Sequence, residues 1–246
     1  MHAMHHLDAL SALCTQDLRM LLRATHAAAV ASKHSRYSGI AQRIGMQLKG
    51  RGALQSADIR DGARIAMISR DGSALTSGSM WSSAFNGARP PTLPKATADV
   101  DYWTPDPDGA GYGKATAEIA SLDILVIAHP TCGFTRAAAD AAQTDPELRS
   151  MLSGRRALWL SPQDGTLDPR VFIDWRERHP DLPIHIVGRQ SGFPELGYWG
   201  TPTFYILRDG KVVARVVGWP SGGNKAALQK AFADAGIAPR VDPAGR

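Results

Sequence analysis

LDILVIAHPTCGFTRAAADAAQ, residues 122–143, sets one cysteine between an aliphatic run and an alanine-rich run. The first run, from Leu122 to Ala128, is short and apolar apart from Asp123, the pattern of a buried strand. The second, from Cys132 to Gln143, has the composition of a helix. Cys132 therefore opens a helix directly after a strand. Only the thiolate form of cysteine is a nucleophile, and a helix N-terminus stabilises that anion through its dipole and its free N–H groups. Taken alone, such a placement suits a structural cysteine equally well.

Working outward, Lys114–Ser121 reads as a short helix before the strand. TDPELRSMLSG, residues 144–154, reads as a helix capped by Asp145, with Pro146 in its first turn and Gly154 as its stop. RALWLSP (156–162) and IHIV (184–187) read as strands, with a helix opened by Asp168-Pro169 between them. GTPTFYILRDGKVVARVVG (200–218) gives two strands about Asp209-Gly210, and Ser221–Ala235 closes as a helix. Proline is excluded from a central strand, so Pro202 either starts its strand or forms a cis turn that presents backbone to a neighbour. This order of elements predicts an α/β domain with a mixed sheet.

The first half reads differently. Leu7, Leu10, Cys14, Leu18, Leu21, Leu22 and Ala28 recur at helical spacing over 7–31, which puts Cys14 on a buried stripe. A weaker helix covers Gly39–Leu48. In ARIAMISRDGSALTSGSMW, residues 63–81, two β-prone runs flank Asp71-Gly72, and an antiparallel hairpin is expected. The proline- and glycine-rich stretch that follows, 86–113, reads as a linker. The expected division is 1–88 as an N-terminal helix plus a small α+β domain, 89–114 as linker, 115–238 as the second domain and 239–246 as a tail.

Composition narrows the function classes. The formal charge of +5 in 246 residues lies wholly in the first sixty, which hold eight Lys/Arg against three Asp. These basic residues lack dense clustering and interleaved aromatics, so a solvated helix face is expected rather than nucleic-acid binding. No apolar run reaches the length of a membrane span. Two cysteines, Cys14 and Cys132, make neither a disulfide framework nor a cysteine-rich zinc site, and His2, His5 and His6 have no accompanying ligands; no metal or cofactor is expected. No ordinary secretory signal is visible at the start.

Together, a helix-opening cysteine, a Gly-Thr-Pro-Thr strand start, a hairpin and a closing helix resemble a thioredoxin-fold domain over residues 115–237. The resemblance implies that Cys132 is the nucleophile, that Pro202 is a cis-proline facing it, and that Thr201 presents backbone to a substrate chain. CGFT is similar to the Cys-Gly-Phe-Ser site of monothiol glutaredoxins, which use glutathione, although no lysine precedes it here. GTPTFYILRDGKVVARVVG is similar to membrane-anchored TlpA-like thioredoxins, which leave the first hundred residues unexplained. The DsbC/DsbG disulfide-isomerase family resembles both halves: its dimerisation hairpin is similar to 65–81, its Thr-Cys-Gly-Tyr-Cys to TCGFT, and its Val-Gly-Leu-Pro to VVGWPS.

That resemblance implies an isomerase-like enzyme, a homodimer through the N-terminal domain, acting on unfolded or misoxidised proteins with an external thiol or reductase as partner. It implies the periplasm, while the missing signal leaves the cytoplasm as the alternative. Cys132, Thr135 and Pro202 are the candidate catalytic positions, and Gly133, Phe134, Thr201 and Trp199 the candidate substrate contacts. His129 and Arg136 bracket the thiol as possible electrostatic partners, and Tyr198 as a further groove residue. Thr135 stands where the family has its second cysteine. It can donate a hydrogen bond but cannot resolve a disulfide, which leaves monothiol exchange or, as the rival, a redox-inactive peptide-binding chaperone.

Overall fold

The structure, a computed structural model, describes residues 9–85, 89–95, 101–154 and 156–237. The N-terminal histidines and the 239–246 tail lie outside them. The chain divides into two compact units: residues 1–95 with 110–112 and 163–169, and residues 96–109, 113–162 and 170–246.

The first unit is helical. Helices α1 (Thr15–Ser32), α2 (Arg36–Gly50) and α3 (Ser56–Ile68) pack on one another around Leu18, Leu22, Ile44, Leu48, Ile65 and Met67. The expected hairpin over 63–81 is absent: its first run is the second half of α3, and Asp71-Gly72 opens a short 3-10 turn. The α+β expectation for this part is thereby corrected: every regular element among the described residues of 1–88 is helical. Helix α3 starts with a reciprocal cap, Gln55 N–H donating to Asp58 Oδ2 at 3.0 Å, and ends where Arg70 takes a left-handed φ of 55°. There the Asp71 N–H closes back on the Ala66 carbonyl at 3.0 Å, a Schellman-type stop.

Two glycines sit inside these helices because an indole needs the space. A Cβ on Gly62 would lie 2.5–2.6 Å from ring carbons of Trp81, and one on Gly45 would lie 2.4 Å from the same ring. Trp81 is fully buried between them, so the helix-weakening residue is here the one that permits packing.

Cys14 is also relocated. The helix does not run through it; Cys14 is the N-cap of α1, exposed, with its sulfur accepting from the Asp17 N–H at 3.4 Å. An N-cap needs an extended backbone and a side-chain acceptor, and both conditions lift this thiol off the buried stripe.

The second unit carries a seven-stranded mixed sheet. Its strands are β1 (Asp101–Pro105), β2 (Tyr112–Thr116), β3 (Ile124–Ile127), β4 (Ala157–Ser161), β5 (Ile184–Val187), β6 (Thr203–Arg208) and β7 (Lys211–Val217), in the order β2-β1-β5-β4-β3-β6-β7. Strands β3, β4 and β5 run parallel, and β6 returns antiparallel on β3 with Ile127 opposite Thr203. Helices α4 (Gly133–Thr144), α5 (Pro146–Leu152), α6 (Arg170–Arg178) and α7 (Lys225–Asp234) complete the α/β fold.

Two further expectations are corrected. The stretch read as linker supplies β1, which pairs with β5 and buries Trp103 in the alternating pattern of a half-covered strand. Lys114–Ser121 is not a helix but the end of β2 followed by a 3-10 turn at Ile119–Ser121. Strand β3 is buried at all four residues and paired on both sides, so the loop leaving its C-terminal end, which carries Cys132, departs from the interior of the sheet.

Candidate functional site

Strand β3 ends in His129-Pro130-Thr131, and the Cys132 N–H donates to the His129 carbonyl at 3.0 Å. Cys132 then takes an extended backbone (φ −75°, ψ 121°) as N-cap of α4, and its carbonyl accepts the first helical bond, from Arg136 N–H at 3.0 Å. Gly133 and Phe134 form the exposed first turn, and Thr135 lies beneath the sulfur, fully buried.

Facing the cysteine is the loop before β6. The Thr201-Pro202 peptide is cis, and the Thr201 carbonyl lies 3.3 Å from the Cys132 sulfur, placed to accept from the neutral thiol. The buried Pro202 and Thr203 are fixed by the strand: Gly218 N–H donates to the Pro202 carbonyl at 2.8 Å, and the Thr203 hydroxyl to the Gly200 carbonyl at 2.6 Å. Cys132, Thr135, Thr201 and Pro202 are thus brought together, from segments seventy residues apart in sequence.

The electrostatics of the sulfur come from short-range donors. Partial burial pushes the thiol up, but hydrogen bonds from the Thr201 side chain, from the Thr135 N–H and hydroxyl and from the Phe134 N–H outweigh it, and the thiol falls below its ordinary value. Thr135 is placed for this. Its hydroxyl oxygen accepts from the His129 N–H at 3.5 Å, which leaves the hydroxyl proton for the sulfur.

The two flanking side chains, His129 and Arg136, are engaged elsewhere. His129 Nδ1 accepts from Thr131 N–H at 3.2 Å and sits 2.8 Å from the Thr131 hydroxyl, with its ring edge-on to Phe172. Arg136 donates to the Thr131 carbonyl at 3.3 Å. Asp123 pairs with Arg156 at the start of β3, at the far end of the strand from the thiol.

Trp199 is half-buried, packed against the sheet core with Phe193 edge-on at 6.1 Å. Its neighbour Tyr198 is the exposed ring. Tyr198 lies against Gly200, where a Cβ would meet its hydroxyl at 2.2 Å, and Arg215 stands 6.0 Å over its ring. The different exposure of the two neighbours is a tertiary fact: Tyr205 and Arg215 are cross-strand partners, and the Tyr205 hydroxyl donates to the Tyr198 carbonyl at 2.6 Å.

Among the described residues no cluster of three or more potential ligands could hold a metal ion, and no helix is long and apolar enough to cross a membrane. No model of a known protein family matches the chain, and no curated protein is similar to it in sequence.

Proposed function

We propose that the protein is a monothiol thiol-disulfide exchange protein acting through Cys132. The observation that carries this is the donor set on one sulfur: a helix-opening thiol held below its ordinary pKa by Thr201, Thr135 and Phe134, with the Thr201 carbonyl of a cis Thr-Pro loop 3.3 Å away. The order β4-β3-β6-β7, with β3 and β4 parallel across α4 and α5 and β6 antiparallel to β3, is compatible with a thioredoxin-like arrangement and supports the same reading. The DsbC/DsbG resemblance rests on this unit alone, because the hairpin that extended it to the N-terminal residues is helix. Nothing in the thiol reading requires a second copy of the chain.

The chemistry balances without an outside oxidant. The Cys132 thiolate attacks a substrate disulfide; a Cys132–substrate disulfide forms, and the other substrate sulfur leaves as thiolate and takes up a proton. A second substrate thiolate then attacks the mixed disulfide, forming a new substrate disulfide and returning Cys132 as thiolate. The net result is isomerisation, with no electrons gained or lost. Thr135 donates to the attacking and leaving thiolate but offers no sulfur of its own, so the release step belongs to the substrate or to an external thiol.

The test is alkylation of Cys132 against pH, together with trapping on a scrambled disulfide protein. Alkylation is expected to rise with a midpoint below the free-thiol value of about 8.5, and Thr135→Val, which removes one of the donors to the sulfur, to move that midpoint up. Cys132→Ser abolishes the trapped adduct. A midpoint at the free-thiol value with no mixed disulfide overturns exchange and leaves the redox-inactive peptide-binding reading. Resolution by glutathione in preference to substrate thiols turns the assignment to the glutaredoxin-like alternative. Cell fractionation decides between the periplasm, to which the resemblance points, and the cytoplasm.

A further inference from the structure

All seventeen aromatic residues of the chain are described, and only two have exposed side chains: Phe134, 60 % exposed, and Tyr198, 46 %. Both flank the thiol. Phe134 follows Cys132 by two residues in the first turn of α4, and Tyr198 leans on Gly200, next to the Thr201 whose carbonyl touches the sulfur. Val217, 48 % exposed, is the cross-strand partner of Thr203 and so lies beside the same loop. Exposed apolar side chains scattered singly need no explanation, but three gathered around one reactive-type sulfur form a surface that water solvates poorly and a ligand can cover.

The Tyr198 ring is held rather than free. Gly200 seats one side of it, Arg215 stands over the ring, and its backbone N–H and carbonyl are both tied to the Tyr205 hydroxyl, at 3.0 and 2.6 Å. A ring fixed before binding loses little rotamer freedom when a partner covers it. The segments that build this rim, 129–136, 197–203 and 215–218, contain Arg136 and Arg215 and no Asp or Glu. The surface around the sulfur is therefore apolar with a cationic border.

We infer that this rim reads the residue next to the target cysteine: it accepts an extended polypeptide whose disulfide cysteine is flanked by a large apolar side chain, and it disfavours basic flanks. The inference rests on the exchange reading for the position of the target sulfur, but its test does not use the thiol. Binding of short capped peptides to the full-length Cys132→Ser protein is measured, the peptides carrying serine in place of cysteine and Phe, Ser or Lys beside it. The Phe peptide is expected to bind about tenfold more tightly than the Ser peptide, the scale of one aromatic contact, and the Lys peptide most weakly. Tyr198→Ala and Phe134→Ala each reduce the Phe preference, Tyr198→Phe retains it, and Met20→Ala, an equally exposed apolar residue on α1, leaves it unchanged. Equal affinity for the three peptides, no binding of any, or a Phe preference that survives both alanine variants overturns the inference. A flat alkylation profile with the peptide preference intact overturns the exchange reading alone.

Discussion

Asp71-Gly72 and Asp209-Gly210 are the same dipeptide between similar apolar runs, and they do opposite things. At 209–210 both residues adopt left-handed φ, 51° and 74°, and join β6 to β7 in a tight hairpin. At 71–72 the backbone of Asp71 stays at φ −97°, and its carboxylate folds back on the chain. Oδ1 accepts from the Ser73 hydroxyl at 2.6 Å and the Ala74 N–H at 3.2 Å, and Oδ2 accepts from the Ser38 hydroxyl at 2.7 Å. What differs is the upstream run. Thr203–Arg208 is β-branched and aromatic and is paired on both sides, whereas Ala63–Ile68 carries alanines and methionine and is already committed to a capped helix. The dipeptide permits reversal; the partner available to the preceding run decides whether reversal happens.

The contrast can be broken most forcefully in the helical unit. Trp81→Ala removes the indole that spaces α2 and α3 and should cost about 3–5 kcal/mol in urea unfolding, far more than any turn substitution. Asp71→Ala removes the carboxylate that terminates the helical side and should cost about 1–2 kcal/mol at neutral pH. Burial alone would raise the Asp71 pKa, but the Ser38 and Ser73 hydroxyls and the Ala74 and Ser73 N–H groups hold it below the ordinary value. Its stabilisation is therefore present above the unfolded carboxylate pKa of about 4 and is lost as pH falls through the depressed folded value, so wild type and variant should converge in acid.

The hairpin side is sharpened by a pair of matched substitutions. Gly210→Ala places a Cβ at a left-handed φ and 3.3 Å from the Ala120 Cα, and should cost about 1–2 kcal/mol. Gly72→Ala meets only Leu93 at 3.4 Å, with no left-handed φ to strain, and should change stability by less than about 0.5 kcal/mol. Equal costs at the two glycines would mean that the two turns are of one kind after all.

Legibility in the sequence follows the same division. The strand before Cys132, the helix after it and the two strands about Asp209-Gly210 were readable because each carries its own signal within a few residues. Helix α3 was not, since its interior Gly62 is explained only by Trp81, whose approach is a tertiary fact. Strand β1 was hidden among prolines: Pro105 is its last residue, where a missing N–H is tolerated, and Trp103 becomes a core residue only once β5 lies beside it. At the site, Cys132, Thr135 and Pro202 were legible as positions. The different exposure of Tyr198 and Trp199 was not, because adjacent residues in a loop point to different environments that only the fold reveals.

Thr135 carries a consequence in time rather than in geometry. It is fully buried, its hydroxyl already shared between the His129 amide and the sulfur. Any disulfide formed at Cys132 meets a hydroxyl one helical turn on, where a sulfur would have set an internal deadline. Its lifetime is then a property of the surrounding solution, lengthening as free thiols become scarce and shortening as they accumulate, so that the duration of the attachment itself reports the local supply of reductant.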